Sequence, residues 1–310
     1  MRVTVITVLL WTCVTTANAQ IESVASIAVS AEQIATSGSF AYVAAGTTLT
    51  VFDITDPTTP VQIGTVDVPD QIYGMSVNAN RAYLATGLEG VHIVEVSRAE
   101  SSPVMIIGLY PTPGQAVDVA LIGTHAAISN LMTGLEIVNL EVPQNPVLVA
   151  TVETPGYQRA VHAAGNLAFV TDQPSGIHSF DLSEPTAPVS VGLHPAGRVP
   201  ARNVTIHNTR AYVVYQRTGL IEIVDITSPS TPNLLGRYET TGQPEMVAAD
   251  GTSIVIPKSG DGIEVVNLVD PTAPTVTTTY DTPGTARDIA IHGNYLLVAD
   301  SQSIEVLRWR

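Results

Sequence analysis

The chain has 310 residues, 28 of them acidic against 13 basic, and a formal net charge of −15. An acidic balance of this size excludes a phosphate-backbone partner, so nucleic acid is not expected. The single cysteine, Cys13, falls within the leader expected over residues 1–19, so the mature chain would hold none, and neither disulfides nor thiolate chemistry would be available to it.

In chain order, residues 1–19 read as a signal peptide: Arg2 is the positive n-region, Val3–Val14 the apolar segment, and Ala17-Asn18-Ala19 a small-x-small cleavage site before Gln20. The apolar run is too short to span a bilayer stably. Leu10-Trp11-Thr12 ahead of Cys13 lacks the small residues that a lipid-anchored cysteine needs. Cleavage would place the mature chain in the periplasm, at the cell surface or outside the cell, with no transmembrane segment and as a monomer.

Beyond the leader one phrase recurs, most cleanly as IEIVDITSPSTP at Ile221–Pro232. Copies stand at Leu49–Pro60, Val91–Pro103, Leu135–Pro146, Ile177–Pro188 and Ile263–Pro274, with a truncated one at Ile304–Arg308. Their anchors Asp53, Glu95, Asn139, Asp181, Asp225, Asn267 and Arg308 are 42, 44, 42, 44, 42 and 41 residues apart. A period near 42 predicts one repeat domain over 20–310, with units near 31–69, 70–112, 113–154, 155–195, 196–240, 241–282 and 283–310.

Each unit holds four short runs rich in Ala, Val, Ile, Leu and Thr, with no sustained helical period. Unit three shows them as Ala116–Ile122, Ala126–Asn130, Leu135–Leu140 and Val147–Val152. Gly90, Gly134, Gly176, Gly219 and Gly262 precede the third run, where a hairpin needs φ > 0. Pairs such as Asp56-Pro57, Glu184-Pro185, Ser228-Pro229 and Asp270-Pro271, each with a second proline three residues on, place a turn before the fourth run, that proline taking the strand's first position. The expected fold is therefore all-β, a ring of four-stranded antiparallel blades.

The last unit has only three runs, Thr285–Ile291, Tyr295–Ala299 and Ile304–Leu307, while Ser23–Val29 is left over at the other end. Pairing Ser23–Val29 with Ile304–Leu307 would close a seven-bladed β-propeller through a blade shared by both termini and hide both edges. A linear solenoid is the alternative.

The phrase IEIVDITSPSTP, with Asn208–Tyr215 before it and Leu235-Gly236-Arg237-Tyr238 after it, resembles the LVIVD-repeat proteins, bacterial propellers that are secreted or attached to the surface. The resemblance covers residues 31 to 310. It implies an extracellular binding or structural role and supplies no catalytic residue, because the matching positions are those that build blades.

Function is expected where the copies disagree. Two positions before the first apolar residue of each inner strand stand Glu32, Tyr73, Val117, Arg159, Arg202, Glu245 and Arg287, followed by Gln33, Gly74, Asp118, Ala160, Asn203, Met246 and Asp288. Around a channel, Glu32, Tyr73, Arg159, Arg202, Glu245 and Arg287 would ring its mouth. They would either bind a ligand, with arginine forks on a carboxylate or sulfate and Tyr73 on a sugar ring, or bridge neighbouring blades.

Of the histidines, His92 and His178 share a polar third-strand column with Glu136, Glu222, Glu264 and Glu305, while His207 and His292 end inner strands. His125 enters a second strand, and His194 follows an outer strand. His162 sits in the apolar stretch of an inner strand, the place of a hydrogen-bonded core histidine.

No HExxH, GxSxG, P-loop, GxGxxG or calcium loop of DxDxDG type is present, so no cofactor or metal is expected. The sequon Asn203-Val204-Thr205 falls at the start of an inner strand and reads as chance. These features point to a non-catalytic propeller that binds a protein or glycan partner. The alternative is a lyase or related enzyme acting on an anionic polysaccharide, in which Tyr73 with Arg159, Arg202 and Arg287 would carry the chemistry.

Overall fold

The computed structural model describes residues 21–98, 103–197 and 199–309; the leader expected over residues 1–19, with Cys13, lies outside them. Among these residues the strands form seven four-stranded antiparallel sheets. Blades 1 to 6 are each built from four consecutive strands, and their inner strands are Gln33–Ser37, Gly74–Asn78, Ala116–Ile122, Tyr157–Ala164, Asn203–His207 and Ala248–Ala249. Blade 7 takes Ala286–His292, Tyr295–Asp300 and Ile304–Trp309 from the C-terminus and Ile21–Ile27 from the N-terminus. The expected closure is present, with Ser23 opposite Leu307 and Ile27 opposite Ile304, although the strand starts two residues earlier than expected and ends before Val29. The ring is closed, and a solenoid with free ends is ruled out.

The apolar runs are continuous because every blade is covered on both faces. The core is correspondingly divided into clusters that each join two neighbours. Ala41, Val43 and Phe52 of blade 1 pack on Leu297, Ala299 and Val306 of blade 7. Tyr42, Ala44 and Val51, the alternate residues of the same strands, pack on Ala82, Leu84 and Val94 of blade 2. Period-two alternation thus sorts side chains between two interfaces rather than between core and water.

Turn chemistry follows the sequence. Gly90, Gly134, Gly176, Gly219 and Gly262 all have positive φ, from 68° to 131°. The prolines expected at the first position of the outer strands sit one residue earlier: Pro60 precedes Val61–Asp67 and Pro232 precedes Asn233–Glu239. There they end the turn without removing a donor from the ladder. One glycine column was not expected. Gly108, Gly192 and Gly236 lie in outer strands where a Cβ would overlap the carbonyl oxygens of Pro143, Pro229 and Pro271 of the next blade. The proline turn of one blade therefore seats on the bare backbone of its neighbour.

The polar third-strand column is buried: His92, Glu136, Glu222, Glu264 and Glu305 are each under 9% exposed. Glu222 is hydrogen-bonded from two blades. Glu222 accepts hydrogen bonds from Tyr215 Oη at 2.9 Å and from Arg237 Nε at 3.0 Å, and lies 2.9 Å from His194 Nε2 of blade 4. Burial alone would raise the Glu222 carboxyl, but these hydrogen bonds and the His194 charge outweigh it and hold the pKa at about 2. His194 does not follow its outer strand as expected; it lies within Val189–Pro195, opposite Ile177, which is what aims its ring at Glu222.

Since each blade is held only by its neighbours and the ring has one seam, removing the seam strand should cost stability everywhere. A chain starting at residue 29 is expected to melt at least about 5 °C below the chain starting at residue 20. Circular dichroism melts of the two would decide this, and equal melting temperatures would refute closure by Ile21–Ile27.

Candidate functional site

The inner strands start at one end of the ring, and their first residues line a single channel cavity of about 830 Å³. Glu32, Tyr73, Val117, Arg159, Arg202, Glu245 and Arg287 all contribute to its wall, as do Gln33, Gly74, Asp118, Ala160, Asn203, Met246 and Asp288. The blade 6 inner strand is only two residues long, against five to eight in the other blades. The Val247 carbonyl just before it is taken at 2.8 Å by Thr205 Oγ1 of blade 5.

The charged residues are not alike in their partners. Glu245 stands between two arginines, 3.5 Å from Arg202 Nη2 and 3.9 Å from Arg287 Nη1, so blades 5, 6 and 7 are linked through it. Glu32 accepts the Gly46 N–H of its own blade at 3.3 Å. Among the described residues no carboxylate lies within ion-pair distance of Arg159, which is exposed, as is Tyr73. The sequon threonine Thr205 is the residue bonded to Val247, which gives it a structural use.

The second column, to which the sequence assigns no role, carries the ties between inner strands. Asp118 accepts the N–H of Val119 at 2.9 Å and, from the next blade, that of Val161 at 2.9 Å. Asp288 repeats the arrangement at the seam, accepting from Ile289 at 2.8 Å and from Ile34 of blade 1 at 2.9 Å. Gln33 Nε2 donates to the Ile72 carbonyl of blade 2 at 3.2 Å. Gly74 is required beside Asp118, because a Cβ there would overlap its backbone.

Burial inside the ring raises both aspartates to about 7, against the two N–H bonds that each accepts. Arg202 pulls Asp118 down and Asp288 pushes it up, while Glu245 adds to the rise of Asp288. His162 is not a core residue: its strand places it on the channel wall, where burial lowers it to about 4 and leaves it neutral.

Beside the mouth lies an apolar arc. Leu88 and Met132, at the hairpins between second and third strands of blades 2 and 3, are 76% and 71% exposed, and Tyr157 is 51% exposed. A Cβ on Gly87 would touch the Tyr73 ring, and Leu131 accepts the N–H of Gln158, so these hairpins sit against Tyr73 and Tyr157 respectively. The corresponding turns carry Arg217-Thr218 in blade 5 and Ser259-Gly260 in blade 6. An apolar residue at a hairpin tip was the available sequence signal.

The pattern described by the LVIVD repeat matches residues 28–68, 155–193, 200–240 and 283–305, which are blades 1, 4, 5 and 7. The chain carries LVIVD repeats. No curated protein matches it. Among solved structures, the chain is similar to a chain of the mitotic checkpoint complex, with a TM-score of 0.74 and 8% identity over 99% of this chain and 98% of that one. It is also similar to the computationally designed Ika8 protein, with a TM-score of 0.67 and 9% identity over 93% and 98% of the two chains. Identities this low establish the shared propeller fold alone. No helix among the described residues is long and apolar enough to cross a membrane.

The channel groups set a pH dependence with a sign opposite to that of ordinary carboxylates. Asp118 and Asp288, raised from 3.8 to about 7, favour folding fully below about 3.8 and lose that contribution as pH rises through about 7. His162, lowered from 6.5 to about 4, works the other way but is neutral in both states above about 6.5. The melting temperature is therefore expected to fall between about pH 6.5 and about pH 8.5. Scanning calorimetry at the two values checks this, and a flat or rising melting temperature would show that the aspartates are already ionised.

Proposed function

We propose that this protein is a non-catalytic binding module that works outside the cytoplasm and takes a protein or glycan partner at the channel mouth. One observation carries the reading. Arginine pairs elsewhere meet at 2.8 Å in Arg81–Glu95, 2.8 Å in Arg98–Asp53, 2.9 Å in Arg237–Glu222 and 3.2 Å in Arg308–Glu22, while His178–Asp172 and Lys258–Glu264 stand at 3.6 and 4.0 Å. Those at the mouth, at 3.5 and 3.9 Å, exceed the length of a charge-assisted hydrogen bond, and among the described residues Arg159 has no such pair. Glu245 therefore links blades 5, 6 and 7 without holding either guanidinium in a short contact. The mouth instead has guanidinium groups that can turn to a ligand, with exposed Tyr73, Leu88, Met132 and Tyr157 beside them as the apolar part of a contact face. The leader at residues 1–19 supports the extracellular setting.

Biotinylated mature protein, presented to a surface-protein extract and to a glycan array, is expected to capture a partner that a Leu88→Glu/Met132→Glu variant does not. Equal capture by the variant would remove the face from the proposal, and no capture by the native protein would remove the binding role.

A second reading rests on a different observation: Tyr73, His162, Arg159, Arg202 and Arg287 line the same cavity, a set suited to drawing a proton from a uronate and stabilising the resulting charge. It predicts growth of ultraviolet absorbance from an unsaturated product on a panel of uronate polysaccharides. Absence of growth on the whole panel would eliminate the lyase.

A further inference from the structure

The channel mouth contains more cationic groups than the rest of this acidic chain would suggest. Among the described residues, Arg159, Arg202 and Arg287 reach one cavity, and the other charged or titratable groups on its wall are Glu32, Glu245, Asp118, Asp288, Tyr73 and His162. Tyrosine and neutral histidine carry no charge. With Asp118 and Asp288 protonated, three guanidiniums face two glutamates, and the wall has a formal charge of +1. With both ionised it has −1. The wall therefore changes sign when two side chains titrate, although the protein as a whole remains strongly negative.

These two aspartates are not peripheral. Each is fixed by two backbone N–H bonds, one from its own strand and one from the next blade, so neither can swing out of the channel when it ionises. Asp118 is also close enough to Arg202 to feel its charge across blade 4. An ionised Asp118 competes with any ligand for that guanidinium.

We propose that the mouth binds one small carboxylate ligand through Arg159, Arg202 and Arg287, and that Asp118 or Asp288 takes up a proton from solvent as it binds. This rests on the binding reading above and narrows it to a ligand class. The planar guanidinium fork matches a carboxylate in a way a single ammonium does not. The cavity, at about 830 Å³, is in the range of small-ligand sites and has room for a sugar-sized acid. Tyr73, on the cavity wall and exposed, offers a face for a ring. The proton follows by linkage: an anion that binds better to the protonated channel must raise the proton affinity of the aspartates by the same factor.

The test is isothermal titration calorimetry on the mature protein with glucuronate and succinate as probes and glucose as the neutral control. Expected are binding of a carboxylate but not of glucose, an affinity lower by about five- to tenfold at about pH 8.5 than at about pH 5.5, and loss of binding in Arg159→Gln and Arg202→Gln. Repeating the titration at about pH 7 in two buffers of different ionisation heat counts protons on the native protein. This measurement replaces Asp118→Asn, whose amide would set an N–H against the N–H of Val119 or Val161. Binding of glucuronate alone assigns a sugar acid, and equal binding of succinate assigns the carboxylate without a ring. No binding of either probe at either pH, or binding with no proton uptake and no pH dependence, overturns the proposal. If partner capture by the native protein persists and is lost in the Leu88→Glu/Met132→Glu variant, the face remains a docking site and only the ligand assignment fails.

Discussion

Everything in this structure depends on burial of apolar surface between neighbouring blades. A four-stranded blade with Ala, Val, Ile and Leu on both faces cannot be covered by water on either, so it needs a partner on each side. Seven such blades meet that need only if the ring closes, and closure requires one more strand than the C-terminal unit supplies. Ile21–Ile27 provides it, pairing with the edge of Ile304–Trp309 and adding Val24, Ala25 and Ile27 to the cluster between blades 7 and 1.

The polar groups are placed to make that packing specific. Glycines in the outer strands accept the proline turn of the next blade, and the buried third-strand acid Glu222 is hydrogen-bonded by residues of two blades. At the inner end Asp118 and Asp288 reach across to the backbone of the following strand. An aspartate used in this way is removed from water and becomes easy to protonate, so a structural tie and the electrical state of the channel are the same group. The mouth is correspondingly poised: loose arginine pairs above, titrating carboxyls below, and an apolar arc on blades 2 to 4.

Much of the fold is legible in the chain. The repeat period, the hairpin glycines and the proline turns are local signals, and a strand too many at one end with a strand too few at the other defines the seam. The column from Glu32 to Arg287 is also legible, as the place where copies diverge. Its neighbour column is visible but mute, because the significance of Asp118 lies in the Val161 N–H, 43 positions away, and nothing in the spacing says which backbone donor it will meet. His162 reads as a core residue because its strand is apolar, yet an innermost strand presents one side to a channel rather than to another blade.

Sequence by itself determined the number of blades, the strand order and the closure, since these follow from periodicity and from where each strand's backbone hydrogen bonds must go. Tertiary structure decided the rest. It set the 3.5 and 3.9 Å separations at the mouth, the sharing of one cavity by nine charged or titratable groups, and the gathering of Leu88, Met132 and Tyr157 beside them. The physical reason is that adjacent blades meet at residues about one repeat apart, so distances across the channel depend on how the ring closes and not on any local stretch of the chain.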